Sequence, residues 1–237
     1  MTVLCIETST SVCSAAICKD SALIKQYINN EGSNHARLLP RYIEELLMFA
    51  REQSLFIDAV ALSEGPGSYT GLRIGASTAK GLCYGLNVPL IPVPTLEVLC
   101  EAARKRLAIS DERAVMIPMI DARRMEVYTS VMMNGEWVNG EGAKAIIVEN
   151  EESLLSLSDS GLSTFDCYYF GDGAAKCQSV FTKSNWHYIP DIVPEAQYVG
   201  KIVERQKSKE KSIDIAYYEP FYLKEFIAAQ SHVKGLV

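Results

Sequence analysis

The sequence predicts an α/β fold of two related lobes, each opening with a three-strand antiparallel meander. A repeat at a constant offset of 114 residues supports this: residues 6–9 (Ile-Glu-Thr-Ser) align with residues 120–123 (Ile-Asp-Ala-Arg), and residues 14–17 align with residues 128–131. Short apolar strands also alternate with longer segments of helical period, as in α/β sheets. Two unrelated meanders would also align loosely, so this alternative stays open beside a duplicated opening unit.

Length and composition restrict the class of protein. The chain has 237 residues, 48% hydrophobic and 22% charged, with a formal net charge of −6. A chain of this size buries about 72% of its unfolded surface, so it needs neither disulfides nor a metal to fold. Disorder, collagen and coiled coil are excluded as the overall class. Because phosphate affinity comes mainly from Lys and Arg, we expect a basic partner to hold any RNA.

Cysteine usage and hydropathy bear on location. The seven cysteines are scattered and form no CxxC pair, which predicts reduced core thiols rather than a zinc site. There is no run of 18 apolar residues, and Glu7 interrupts an N-terminal segment without basic residues. We therefore expect no membrane span and no signal peptide, and hence a cytoplasmic protein.

The first lobe is predicted over residues 1–107. Three strands form its meander, and Ser33 with Asn34 caps a helix that runs to about residue 51 with apolar residues at the helical period. The predicted elements are strands at 3–7, 14–18, 23–28, 57–62 and 90–93, and helices at 34–51, 71–86 and 95–106.

The second lobe is predicted over residues 114–237, after a polar linker at 108–113. Its pattern is less regular than that of the first lobe. The predicted elements are strands at 114–120 and 167–170, helices at 149–157, 174–180 and 194–205, an extended segment at 217–226, and a frayed tail from about 231.

Polar residues at three strand ends indicate an ancestral nucleotide site. Hydroxyls and backbone N–H groups after the first strand are suited to phosphates, and facing carboxylates from the two lobes are suited to magnesium. The second turn, residues 121–124, has no glycine, which hinders close wrapping of a phosphate. Ordinary turn residues left by the fold are the alternative. The candidate residues are Glu7, Ser9, Thr10, Asp121, Gly171 and Gly173.

The strongest local motif is residues 65–75, Gly-Pro-Gly-Ser-Tyr-Thr-Gly-Leu-Arg-Ile-Gly. It predicts a tight turn after a buried strand, with Ser68 or Thr70 capping the next helix. Glycine inside a helix costs up to ~1 kcal/mol relative to alanine, so the small residues of this helix require a packing reason. Packing onto the chain's own helix and packing onto another subunit both remain open. The predicted strip consists of Gly71, Gly75, Ala76 and Ala79, flanked by Leu72, Lys80 and Cys83.

Histidine spacing argues against a metal site. His35, His187 and His232 form no HxH or HxxxH pair, so each is expected at the surface or hydrogen-bonded in the core. The sequence also lacks a GxSxG nucleophile motif and a P-loop lysine.

A family resemblance rests on four segments: residues 4–9, 65–82, 121–128 and 220–224. Together they resemble the TsaB family, glycoprotease-like proteins of tRNA threonylcarbamoyladenosine biosynthesis. The resemblance spans about residues 3–226, and Gly-Pro-Gly-Ser-Tyr-Thr-Gly-Leu-Arg followed by Asp-Ala-Arg-Arg is specific to the family. It implies an actin-like, Hsp70-like fold of two ribonuclease-H-like lobes.

The resemblance also implies an accessory role without catalysis. TsaB pairs with its catalytic paralogue TsaD, and TsaE, a small ATPase, joins them. The complex transfers a threonylcarbamoyl group to adenosine 37 of tRNAs reading codons that start with A. TsaD carries metal-binding histidines in a segment like Val-Asn-His-Leu-Glu-Gly-His. Here residues 93–99 hold Thr95 and Leu99 at those two positions, and neither side chain replaces an imidazole.

Partners and alternatives follow from the same resemblance. It places the TsaD contact on the helices at 34–51 and 71–86, and we expect the same strip to form a homodimer without TsaD. No cofactor is expected for the chain alone, with a nucleotide possible in the assembled complex. A small actin-like kinase or ATPase, disfavoured by the second turn, and a metalloprotease, disfavoured by Thr95 and Leu99, remain alternatives. The expected interface residues are Leu38, Tyr42, Gly71, Leu72, Gly75, Ala76, Ala79, Lys80 and Cys83.

Overall fold

The computed structural model describes residues 1–32, 34–107, 114–138, 142–155, 157, 165–206 and 213–224. The predicted linker at 108–113, Ser33, His232 and the predicted tail lie outside these residues. Within them, no helix is both long enough and apolar enough to cross a membrane.

The first sheet has five strands in the order β3-β2-β1-β4-β5. The meander β1–β2–β3 is antiparallel, whereas β1, β4 and β5 run parallel. The bounds in this lobe are β1 Thr2–Glu7, β2 Cys13–Lys19, β3 Ala22–Asn29, α1 His35–Glu52, β4 Ala59–Gly65, α2 Tyr69–Leu86, β5 Leu90–Pro94 and α3 Thr95–Leu107. Each predicted element of the lobe is therefore present, with its ends shifted by no more than three residues.

The second sheet repeats this order as β10-β7-β6-β11-β12, with β8 and β9 attached beside β6. Here β6, β11 and β12 run parallel and β7 runs antiparallel to β6. The bounds are β6 Val115–Asp121, β7 Glu126–Thr129, β8 Met132–Met133, β9 Glu136–Trp137, β10 Lys144–Ile147, α4 Glu152–Leu155, β11 Cys167–Phe170, a 3-10 helix Ala175–Ser179, β12 Trp186–Ile189 and α5 Ala196–Gln206.

The register corrects the predicted offset beyond the first strand of each lobe. Glu7 pairs with Ser14, but Asp121 pairs with Val127, one residue earlier than a constant offset of 114 gives. The turn of the second lobe is thus one residue shorter. Arg123 and Arg124 close it with left-handed backbone angles, φ +72° and +51°.

Among the residues that the structure describes, three hydrophobic clusters hold the layers together. One lies between the first sheet and α1 with α2, and another covers the outer face of the second sheet. The third surrounds α3 and α5 and contains residues from both sheets, so the lobes share a core. Although α5 belongs to the predicted second lobe by sequence, it packs on β1, β2 and β4 of the first sheet.

Candidate functional site

A cavity of about 500 Å³ lies between the lobes, at the ends of β1 and β6. The first lobe contributes hydroxyl side chains and the start of α2. The second lobe contributes the turn after β6. The segment that ends at residue 224 contributes a third wall. The lining residues are Ser9, Thr10, Ser11, Gly67, Ser68, Tyr69, Thr70, Ile120, Asp121, Ala122, Arg123, Tyr128, Asp172, Tyr222, Leu223 and Lys224.

Glu7 does not reach this cavity. Its carboxylate is fully buried and accepts hydrogen bonds from the Ser9 backbone N–H at 2.6 Å, from Ser9 Oγ and from Ser63 Oγ. Burial raises the pKa of the Glu7 carboxyl, and these hydrogen bonds oppose the shift only in part. The role of Glu7 as a ligand stays a prediction, and in this structure its oxygens are satisfied inside the lobe, away from the cavity.

The start of α2 packs against the turn after β1. Thr8 Oγ1 donates to the Gly71 carbonyl at 2.8 Å, and the Ser68 N–H donates to the Ser9 carbonyl at 2.6 Å. A Cβ atom on Gly71 would overlap the Thr8 carbonyl oxygen, and one on Gly75 would overlap Thr8 Oγ1. The glycines of the motif at 65–75 thus allow α2 to pack closely against this turn. Ser68 caps α2 as predicted, by accepting from the Gly71 N–H at 3.3 Å.

In the second lobe, a lysine neutralises the carboxylate of the corresponding turn. Lys176 Nζ donates to Asp121 Oδ1 and to the Glu126 carbonyl, the latter at 2.6 Å. Asp172 lines the cavity and accepts from the Asp121 N–H at 2.9 Å. Burial, with a smaller contribution from the charge of Asp121, raises the pKa of Asp172.

The glycines at the end of β11 have a structural role. Gly171 has φ +103°, and a Cβ atom on it would overlap the Met119 carbonyl oxygen. Gly173 lies against the backbone of Ile120 and Asp121. Neither glycine lines the cavity, whereas Asp172 between them does. A ligand contact of Gly171 or Gly173 stays a prediction.

The donor set of the described residues does not form a metal site. Thr95 and Leu99, the positions of the expected histidines, are both buried at the start of α3. His35 bonds to the Val12 carbonyl at 3.1 Å, and His187 pairs with Asp166 at 2.7 Å. Within the described ranges, no group of three His, Cys, Asp or Glu side chains is placed to hold a metal ion.

The predicted interface strip belongs to the chain's own core, which corrects its expected exposure. Six members are buried under the first sheet: Gly71, Leu72, Gly75, Ala76, Ala79 and Cys83. Lys80 donates instead to the carbonyls of Ala216 and Tyr218, both at 3.1 Å. Leu38 and Tyr42 are half-buried, and the Tyr42 ring stacks on Tyr27 at 5.4 Å. Large substitutions at Ala76 or Ala79 would therefore disturb the fold itself.

Sequence reasoning missed the basic residues that face these turns. Lys176 is part of no recognisable motif. Its partner Asp121 lies 55 positions away in the chain, so no local pattern connects the two residues. Lys224 stands in the family segment 220–224, but only the fold brings it to Glu126.

Known relatives cover nearly the whole chain. A family model described as TsaD, tRNA N6-adenosine threonylcarbamoyltransferase, matches residues 23–228. The TsaB protein of Buchnera aphidicola subsp. Acyrthosiphon pisum is 30% identical over 231 residues, 91% of this chain and 97% of that protein. The TsaB protein of Haemophilus influenzae is 29% identical over 230 residues, 94% of each.

Solved structures confirm the fold. YeaZ from Pseudomonas aeruginosa superposes with a TM-score of 0.75 at 22% identity, covering 94% of this chain and 99% of that one. A putative N-acetylmannosamine kinase from Listeria monocytogenes superposes with a TM-score of 0.50 at 10% identity, covering 89% and 100%. The predicted actin-like arrangement of two ribonuclease-H-like lobes is thus confirmed. From the extent of these matches, the chain belongs to the family of the TsaD model and, within it, to the TsaB proteins of tRNA threonylcarbamoyladenosine biosynthesis.

Proposed function

We propose that this chain is a non-catalytic accessory subunit that docks a TsaD-like catalytic subunit, with a TsaE-like ATPase, in threonylcarbamoylation of adenosine 37 of tRNAs reading codons that start with A. One observation supports this proposal: the acidic side chains of the turn after β1 and the turn after β6 already have partners within the chain. Ser9 and Ser63 occupy the oxygens of Glu7, and Lys176 pairs with Asp121. Groups engaged in this way are not presented to a phosphate or a divalent cation.

Catalytic groups and cofactors then belong to the partner. Thr95 and Leu99 are buried, and neither is a metal ligand at neutral pH. This disfavours a metalloprotease. The lysine on Asp121 and the glycine-free second turn disfavour a kinase or ATPase. No cofactor is required of this chain, and a nucleotide belongs to the assembled complex. Since the net charge is −6, the tRNA is held mainly by other subunits.

The docking face is the outer face of α1 and α2. On α2, the exposed stripe includes Ser77, Gly81 and Gly85, and space in front of both glycines is open to a distance of 4 Å. Two internal glycines cost the helix about 1 kcal/mol each relative to alanine, which close approach of a partner helix offsets. Large apolar side chains beside them, Tyr84 at 84% exposure and Met48 at 55%, supply contact area. Without TsaD, the same face pairs two copies of this chain as an isologous dimer.

A tryptophan at Gly81 tests this face. The position is exposed, so Gly81→Trp leaves the lobe's core intact but holds a partner helix away. We expect a loss of about 5- to 150-fold in TsaD affinity, the equivalent of ~1–3 kcal/mol of overpacking, with a parallel loss of dimer. The measurements are titration calorimetry with TsaD and reconstituted tRNA modification with TsaD, TsaE and the adenylate-forming enzyme.

The matched control is Gln178→Trp, on the exposed 3-10 helix of the second lobe. It should leave affinity and modification unchanged. If Gly81→Trp also leaves both unchanged, the interface lies elsewhere. If omission of this chain leaves modification unchanged, the accessory role is wrong.

A further inference from the structure

The segment 213–224 returns to the first lobe and is anchored there. Tyr218 is buried in the cluster between the first sheet and its two outer helices. Lys80 donates to the carbonyls of Ala216 and Tyr218, and the Phe221 N–H donates to the Glu64 carbonyl at 2.8 Å. One buried ring and three hydrogen bonds to the backbone thus hold this segment on α2 and β4.

The end of the same segment reaches across the cleft. The Tyr222 ring lies 5.0 Å from the Tyr69 ring of the first lobe. Lys224 Nζ, two residues further on, donates to Glu126 Oε2 on β7 of the second lobe. Tyr222 and Lys224 both line the cavity, so the segment forms part of its wall and connects its two sides.

The two attachments differ in strength. Tyr218 is 8% exposed, whereas the side chain of Lys224 is 47% exposed and that of Glu126 is 19% exposed. A half-exposed ion pair contributes little and is screened by salt, whereas burial of an aromatic ring does not depend on ionic strength in this way. The lysine contact therefore breaks first, while the segment stays on the first lobe.

We propose that residues 213–224 act as a strap that holds the cleft narrow, with Lys224–Glu126 as its reversible latch. When the latch opens, the lobes move apart around their shared core at α3 and α5, and the hydroxyl-lined cavity widens. The device belongs to this chain alone and does not require the docking face proposed above.

Distance measurement between the lobes tests the strap in the full-length chain. Spin labels at Asn30→Cys after β3 and Gln178→Cys on the second lobe report the separation by pulsed electron paramagnetic resonance, with the labelled chain diluted in unlabelled chain so that distances between copies do not contribute. Both positions are exposed, whereas all seven native cysteines are buried, and the native chain treated with the label measures any background. The parent is expected to show one short distance that broadens toward longer values with added salt.

A graded series at Lys224 separates the latch from general effects. Lys224→Arg should keep the short distance, and Lys224→Met should raise the open-to-closed ratio about 1.4- to 5-fold, as expected for loss of a partly exposed ion pair. Lys224→Glu, which faces Glu126 with like charge, should raise the ratio further. Lys80→Met should also raise it, because it loosens the anchor while leaving the latch residues in place.

The charge control is Lys183→Glu, which reverses a lysine paired with Glu152 at 3.6 Å outside the cleft. It should leave the distance unchanged. The proposal is overturned if Lys224→Glu gives the parent distance, if Lys183→Glu opens the cleft equally, or if Lys224→Arg behaves like Lys224→Glu. Retained thermal unfolding midpoints in the Lys224 series would assign the changes to lobe separation rather than to unfolding.

Discussion

The turn after β1 and the turn after β6 begin from aligned positions and are stabilised in different ways. In the first lobe, Glu7 is fully buried among serine donors, and the glycines of α2 pack beneath Thr8. In the second lobe, Asp121 is exposed at the cleft and paired with Lys176, and two arginines with left-handed backbone close a shorter turn.

This contrast shows how two lobes of the same fold can stabilise equivalent turns in different ways. One turn is closed by backbone packing, which tolerates no added volume. The other is closed by charge pairing at the surface, which tolerates substitution. Stability should therefore depend far more on the first turn than on the second.

The largest expected effect is at the packed turn. Gly71→Ala places a methyl group on the Thr8 carbonyl oxygen, and backbone on both sides prevents an easy shift. We expect a loss of about 1–3 kcal/mol in the free energy of unfolding, or roughly 2–4 °C in melting temperature per kcal/mol for a chain of this size. Urea denaturation beside Gly81→Ala, a glycine of the same helix with open space, is the measurement. Equal stability of the two variants would refute tight packing at Gly71.

A smaller, pH-dependent effect is expected at Glu7. Glu7→Gln should cost about 0.5–1.5 kcal/mol, because an amide nitrogen replaces one of the two oxygens that accept hydrogen bonds from Ser9 and Ser63. Since burial raises the pKa of Glu7 in the folded chain, the native state retains that proton to higher pH than the unfolded chain does. The stability of the parent should therefore fall as pH rises above the unfolded pKa near 4.5.

Denaturation of parent and Glu7→Gln from pH 4 to pH 8 isolates this contribution, because other titrating groups are common to both. The advantage of the parent should be largest at low pH and diminish as pH rises. An advantage that grows with pH would show that the hydrogen bonds outweigh desolvation at this carboxylate.

The smallest effect is expected at the open turn. Arg124 has φ +51°, a region that costs a non-glycine residue about 1–2 kcal/mol, and its side chain is exposed. Arg124→Gly should relieve this strain, partly offset by the greater freedom of glycine in the unfolded chain, for a gain between zero and about 1 kcal/mol. Calorimetric melting checks the sign. A clear loss would indicate that Arg124 holds this turn by contacts of its side chain.

Much of the fold was predictable from local pattern. The period of apolar residues located α1, the turn motif at residues 65–75 located the start of α2, and the predicted strand at residues 167–170 coincides with β11. The second lobe was harder, since its second strand is interrupted after Thr129 and its short helices carry little periodicity. The predicted helix at 149–157 is a single turn, Glu152–Leu155, and that at 174–180 is a 3-10 helix.

The candidate site was predictable only in outline. The strand ends after Glu7 and Asp121 were located correctly, because a strand ending in a polar turn is a local signal. The orientation of their side chains was not, since Ser63 lies 56 residues from Glu7 and Lys176 lies 55 residues from Asp121. The sequence around a serine or a lysine does not indicate which distant group its side chain will contact.

By itself, then, the sequence determined the two-lobed α/β class, most helices and strands of the first lobe, the family, and the substitution of both expected metal histidines. These depend on periodicity, turn chemistry and residue identity, which are properties of short segments. Tertiary structure alone decided that the small residues of α2 face inward rather than outward, and that residues 213–224 cross to Glu126. Both outcomes depend on which surfaces are covered by the first sheet and by the segment 213–224. A helix with small residues on one side and glycines on the other has two faces suited to close packing, and only the assembled lobe shows which of them is already filled.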